Sequence, residues 1–276
     1  MKLELHDLYI GYDEDANRRI VAETLDASLT KGTMACLVGA NGVGKSTLMR
    51  TLSGFQPALR GEVRIDGKPI GEYSPRELSE KIGVVLTERN TAAELTVEEV
   101  VGIGRIPYTN FWGTMTPADR QAVDEAIALV GIGPLRKKKI GRVSDGERQK
   151  VMIAKALAQQ TDMILLDEPT AFLDYGSKVS VMRLLRQLAH EQGKAVLLST
   201  HDLEIAFQTA DEVWILQQNG LQTGTLDALE QQGAVSTFLA QSGLRYETDN
   251  RRIVIGEDKA PPLPLPSRGD SATMIS

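Results

Sequence analysis

A nine-residue stretch, Gly39-Ala40-Asn41-Gly42-Val43-Gly44-Lys45-Ser46-Thr47, limits what this chain can fold into more than any other feature. It follows a compact apolar run, Met34–Val38, and leads directly into good helix formers over residues 45–53. Strand, glycine-rich loop and helix in that order form a P-loop, a cradle for phosphate. Phosphate oxygens need main-chain N–H groups that wrap them without side-chain obstruction, and the three glycines meet that need. The helix opening near Lys45 aims its positive dipole end at the anion. Lys45 adds a point charge for the β- and γ-phosphates, and the Ser46 hydroxyl suits Mg²⁺. A chance glycine-rich turn of this form is expected in about 1% of chains this long. Nucleotide binding follows.

Around that loop the chain reads as α/β. Strand-like segments at 3–10 and 21–29 open it, and shorter ones follow at 62–65 and 82–86, with the turn residues Asp66-Gly67 between them. From about 96 to 158 the pattern is helical. Thr116, Pro117 and Asp119 supply an N-cap, a first-position proline and a first-turn acid for a helix reaching about Val130, with Ala122, Ala126, Leu129 and Val130 on one face. A second helix runs from Ser144 to about Gln159. Strand and helix then alternate over 163–167, 177–192, 195–199, 203–209 and 213–217, which predicts a mainly parallel sheet covered by helices. The helical stretch interrupting that order reads as an inserted subdomain. Segments 246–248 and 252–255, joined through Asp249-Asn250, predict a closing hairpin. The last twenty residues, with Pro261, Pro262, Pro264 and Pro266, read as a disordered tail.

Composition narrows the function classes. A formal charge of −6 over 276 residues exerts no global pull on nucleic acid or anionic membrane. The basic run Arg136-Lys-Lys-Lys139 is short, lacks interleaved aromatics and reads as a solvated loop. A single cysteine, Cys36, excludes internal disulfides and cysteine-based zinc sites, and reads as a small core residue in the strand before the P-loop. No run approaches the roughly 18–20 apolar residues of a membrane-spanning helix. The N-terminus alternates apolar and polar residues like a half-exposed strand, unlike a signal peptide. The chain is therefore expected not to cross a membrane by itself, and to be cytoplasmic.

Three further segments carry chemistry. Ser144-Asp145-Gly146-Glu147-Arg148-Gln149 has the form of a capping box, with Ser144 as N-cap and Glu147 at the third helical position. Met163-Ile-Leu-Leu-Asp167-Glu168-Pro-Thr170 is a buried-strand run ending in two acids. Beside a P-loop, such a strand offers one carboxylate to Mg²⁺ and one to position or deprotonate water. Thr200-His201-Asp202 ends another strand. His6 and His190 have no such context and read as surface residues.

In order, these segments resemble the Walker A (39–47), signature (144–149) and Walker B (165–168) motifs of the ATP-binding cassette (ABC) ATPases. A D-loop, Ala171-Phe-Leu-Asp174, and an H-loop, His201, follow at similar spacings, and Tyr12 matches the aromatic on which that family stacks adenine. The resemblance covers residues 2–241 and implies a P-loop NTPase core: a mixed, mainly parallel sheet, an N-terminal antiparallel β part and an inserted helical subdomain at about 90–160. Residues 242–256 would then be a hairpin extension and 257–276 the tail. It also implies two cassettes sandwiching two ATPs head to tail, each covered by Ser144, Asp145, Gly146 and Glu147 of the other. Glu168 would activate water, His201 would sense the γ-phosphate, Asp174 would signal across the dimer, and Ser46 and Asp167 would hold Mg²⁺.

One departure stands out. Where the family has a glutamine after the strand at 82–86, this chain has Thr87-Glu88-Arg89. Thr87 aligns best as a metal contact; Glu88 is the alternative. Gly104-Arg-Ile-Pro-Tyr108, with the signature and D-loop residues, is similar to importer ATPases for iron–siderophore, haem and cobalamin complexes. That similarity implies a homodimer docked on a separate dimeric permease at the inner face of the membrane, with a substrate-binding protein and no direct nucleic-acid contact. An exporter or assembly-complex cassette is the second reading. A ribosome- or DNA-acting ABC ATPase is the third, disfavoured because the chain lacks a second cassette and long coiled-coil or zinc insertions.

Overall fold

The computed structural model describes residues 1–14, 17–86, 93–110, 112–248, 250 and 252–256. Long strands β1 (Lys2–Glu14) and β2 (Asn17–Thr30) precede β3 (Met34–Val38), and the P-loop then runs into α1 (Lys45–Leu52). Next come β4 (Arg60–Ile65), β5 (Lys68–Pro69), α2 (Pro75–Ser79) and β6 (Ile82–Val85). The inserted helical region holds α3 (Val97–Gly102), α4 (Pro117–Val130) and α5 (Asp145–Ala158). The chain then alternates through β7 (Met163–Leu166), α6 (Tyr175–His190), β8 (Ala195–Ser199), α7 (Leu203–Thr209) and β9 (Glu212–Gln217). It closes with β10 (Gly220–Gly224), α8 (Leu226–Gln231), α9 (Ala234–Ala240) and the hairpin β11 (Leu244–Glu247) and β12 (Arg252–Ile255).

The central sheet has the order β10-β9-β3-β8-β7-β6. Five of its strands are parallel and β10 is an antiparallel edge. A second sheet, β2-β1-β4-β5, is wholly antiparallel. Parallel strands are buried on both faces, so they read as unbroken apolar runs, yet their side chains still alternate. On β3, Cys36 and Val38 join the core shared with the helical region, whereas Ala35 and Leu37 join the core beneath the antiparallel sheet and α1. Ile164 and Leu166 against Met163 and Leu165 divide in the same way on β7. Burial raises the Cys36 thiol far above its ordinary value, which suits the packing role expected of it.

Local chemistry starts the inserted helices. Thr96, Thr116 and Ser144 each form a capping box, accepting from Glu99, Asp119 and Glu147 N–H while those acids accept from the cap N–H. The basic run is the exposed loop expected of it, and it also carries ion pairs. Arg136 pairs with Glu98 and Asp124, Lys137 with Glu98, Lys138 with Glu147 and Lys139 with Glu94. The Arg136 hydrogen bond is the main cause that draws the Glu98 carboxyl down to about 2. These partners lie far apart along the chain, so charge pattern alone did not reveal them. Strand β10 and helices α2, α3, α8 and α9 also go beyond the sequence reading. The expected tail lies outside the described residues.

A buried ion pair ties the helical region together. Arg105 Nε donates to Asp119 Oδ1 at 2.9 Å, with side-chain exposures of 6% and 3%. Arg105 Nη1 also donates to Ala158 O, at the end of α5, and to Gln160 Oε1. Thr116 and then Arg105 hold the Asp119 carboxyl below the usual range. Gly104 must be glycine, because a Cβ there would lie 2.1 Å from Lys155 O. Arg105→Met strands a buried carboxylate and is expected to cost about 3–5 kcal/mol of unfolding free energy. Urea denaturation checks this, and a loss below about 1 kcal/mol would reduce the pair to a surface-like contact.

Candidate functional site

Strand order brings the chemistry together. Because β8 lies between β3 and β7, the P-loop, Asp167-Glu168 and His201 all emerge from the carboxyl ends of neighbouring strands. Open α/β sheets bind ligands outside those ends. Here the ends frame a cleft of about 500 Å³ lined by Tyr12, Arg19, Lys45, Ser46, Glu168 and His201, among others.

At its floor, Gly44 takes φ 114°, and a Cβ there would come within 2.5 Å of Val21 Cγ1. Only glycine combines that angle with so close an approach. Lys45 is 5% exposed and its Nζ donates to Gly39 O at 2.8 Å and Ala40 O at 3.2 Å, so its ammonium is held within the loop. Burial lowers the Lys45 pKa, while the Glu168 and Asp167 carboxylates oppose that shift. Tyr12, on β1, sits at the rim, 40% exposed, with its hydroxyl 3.2 Å from Thr47 Oγ1.

The acidic pair is held by a residue the sequence reading missed. Ser199, the buried last residue of β8, donates through Oγ to Asp167 Oδ1 at 2.6 Å and accepts from Glu168 N–H at 2.9 Å. Its signal was a hydroxyl closing an otherwise apolar strand. Glu168 itself has φ 51°, a left-handed conformation that costs a non-glycine residue energy and gathers at functional sites. His201 Nε2 contacts Glu168 Oε1 directly. Arg19 was also missed: it is the cross-strand partner of Tyr12 and so shares the cleft-facing side.

Not every motif reaches this cleft. Ser144 caps α5, and Gly146 sits so close to α6 that a Cβ would lie 3.0 Å from Ser177 Oγ. Ser177 in turn donates to Asp174, the cap of α6, and those hydrogen bonds lower the Asp174 pKa. Signature and D-loop residues are thus neighbours of one another, and none of Ser144, Asp145, Gly146, Glu147 or Asp174 lines the nucleotide cleft. Thr87 and Glu88 lie outside the described residues.

Comparison with known proteins bears on the family. The family model for ABC transporters matches residues 22–171. The iron(3+)-hydroxamate import ATP-binding protein FhuC of Bacillus subtilis is 35% identical over 74% of this chain and 74% of its own. The hemin import ATP-binding protein HmuV of Streptomyces coelicolor is 37% identical over 75% of this chain and 72% of its own. Among solved structures, a dimeric ATP-binding cassette in a post-hydrolysis state with ADP and phosphate superposes with TM-score 0.69 at 26% identity, covering 81% of this chain and 98% of that one.

Proposed function

We propose, from the premise that this chain belongs to the ABC transporter family and is an ATPase, that it powers import of a metal chelate through a separate permease. Iron–siderophore, haem and cobalamin complexes are the substrate class. The import proteins for iron(3+)-hydroxamate and hemin support that class by their similarity. The observation that carries the dimeric mechanism is the separation of Ser144, Asp145, Gly146 and Glu147 from the chain's own cleft. Those residues begin a helix capped by Ser144, and in this reading its positive dipole end meets the partner's nucleotide.

In this reading residues 2–241 form the cassette, with the helical subdomain at about 90–160, and 242–256 add a hairpin. Tyr12 stacks the adenine. The main-chain groups of Gly39, Ala40, Asn41, Gly42, Val43 and Gly44 wrap the phosphates, Lys45 neutralises the β- and γ-oxygens, and Ser46 and Thr47 close the loop. Mg²⁺ fits the donors present: Ser46 Oγ and the Asp167 carboxylate are hard oxygens. This cation takes one or two protein ligands beside phosphate, and no cluster of three metal-binding side chains exists among the described residues. When bound it offsets phosphate charge. Glu168, oriented through Ser199, accepts the proton of the attacking water, and His201 holds Glu168 and reads the γ-phosphate. Asp174 carries the state of one site to the other.

No helix among the described residues is long and apolar enough to cross a membrane, so the assembly is completed by a polytopic permease dimer at the cytoplasmic face, supplied by a substrate-binding protein. Purification of the tagged chain from native membranes should recover such a permease. Deleting the gene should lower uptake of one of the three chelates at least tenfold. Recovery of ribosomes or DNA instead, or unchanged uptake of all three, would sink the importer reading.

A further inference from the structure

Two aspartates stand at the N-caps of consecutive helices and do different things. Asp174, before α6, caps in the usual way, its carboxylate accepting from Ser177 N–H at 3.0 Å. Asp202, before α7, makes no cap hydrogen bond with its side chain. Its Oδ2 instead meets Lys178 Nζ, on α6, at 2.9 Å. An N-cap aspartate ordinarily satisfies the first N–H groups of its own helix, so this carboxylate is drawn off a local partner by a cation from another helix. The pair is partly shielded, with side-chain exposures of 22% for Lys178 and 36% for Asp202. Between β8 and this pair lies His201, and its peptide is held on both sides. Before it, Thr200 N–H donates to Leu37 O at 3.1 Å and fastens the end of β8 to β3. After it, Asp202 N–H donates to Thr200 Oγ1 at 3.0 Å, while Lys178 holds the Asp202 side chain.

Resting on the roles given above to Glu168 and His201, we infer that Lys178 is a positioning residue for hydrolysis: through Asp202 it sets the loop that aims His201 at Glu168. Neither Lys178 nor Asp202 lines the nucleotide cleft, so their contribution passes through His201, whose Nε2 contacts Glu168 Oε1. Backbone geometry shows what the lysine prevents. Asp202 has ψ 79°, whereas the capping Asp174 has ψ 161°. Without Lys178, the Asp202 carboxylate is free to turn back on α7 as an ordinary cap, and ψ would move toward the extended value. That rotation falls at the residue after His201, so the imidazole loses its fixed approach to Glu168. Misplacing a reacting group by about 1 Å can cost on the order of 100-fold in rate. The anchor is itself well placed. Lys178 N–H donates to Asp174 O at 2.9 Å, so the lysine belongs to the first turn of α6, the turn in which Ser177 lies beside Gly146.

The test is single-turnover ATP hydrolysis by the full chain, with ATP affinity measured separately. Lys178→Met and Asp202→Ala should each lower the rate about tenfold and leave ATP affinity within about twofold of wild type. The double variant should be no slower than either single one, because both remove the same contact. Lys178→Arg keeps the charge and should recover most of the wild-type rate. In a His201→Ala background, Lys178→Met should slow hydrolysis no further, since the group it positions is gone. Each variant should melt within about 3 °C of wild type, as befits a partly exposed pair in a chain of this size, and a larger loss would make the pair a structural contact and overturn the positioning role. Hydrolysis by Lys178→Met at the wild-type rate, with His201→Ala slow, overturns that role and leaves the assignment of His201 standing. An equal loss from Lys178→Met in both backgrounds overturns it too, because Lys178 would then act without His201. Wild-type hydrolysis by His201→Ala overturns the assignment of His201 and the positioning role together.

Discussion

Glu168→Gln is expected to leave ATP affinity within about twofold of wild type, lower turnover at least ~100-fold, and accumulate an ATP-bound dimer. The amide keeps the size of the carboxylate and its contact with His201, and the main-chain bond from Glu168 N–H to Ser199 Oγ does not involve the side chain. What disappears is the capacity to take a proton from water, worth about 10²–10⁴ in rate for a positioned general base. Because binding survives and hydrolysis does not, the γ-phosphate persists between the two halves, and size-exclusion chromatography with ATP should show the dimer. Single-turnover phosphate release gives the rate. An isolated variant that hydrolyses ATP as fast as wild type would remove Glu168 from the chemistry.

Lys45→Ala should abolish nucleotide binding in the working range, with a loss of at least ~100-fold for ATP. The side chain is buried in the loop, where its ammonium donates to Gly39 O and is placed to neutralise bound phosphate. Hydrogen bonds to charged groups contribute about 1.5–3 kcal/mol each, and two phosphates lose one partner. Removing the stem also leaves Gly39 O and Ala40 O without their donor, so loop disorder must be separated from lost charge. Thermal melting does this. Without nucleotide the variant should melt within a few degrees of wild type. The stabilisation that ATP gives the wild type, about 2.7 kcal/mol at one hundred times the Kd, should vanish. A full ATP-induced shift in Lys45→Ala would refute the assignment.

Several parts of this outcome were legible because their causes are local. The P-loop sits between a strand and a helix in nine consecutive residues, and the Ser144 and Thr116 caps need only their own first turns. Buried parallel strands announce themselves as apolar runs, so Met34–Val38 matches residue for residue and Met163–Leu166 differs by one. Short elements such as α8, β10 and α2 escaped because six, five and five residues carry too little periodicity. Arg105 entered the sequence reading only as part of the Gly104–Tyr108 segment. Its burial depends on Asp119, Ala158 and Gln160, which meet only after the helices pack.

The amino-acid order by itself determined the nucleotide chemistry, the family and the helical insertion, since each is written in contiguous residues whose spacing is set by backbone geometry. Tertiary structure alone decided two things. The order β3-β8-β7 brought His201 onto Glu168 and Ser199 beneath both acids, because strand neighbours are chosen by crossovers and not by sequence adjacency. Packing of α5 against α6 set Gly146 beside Ser177 and away from the chain's own cleft.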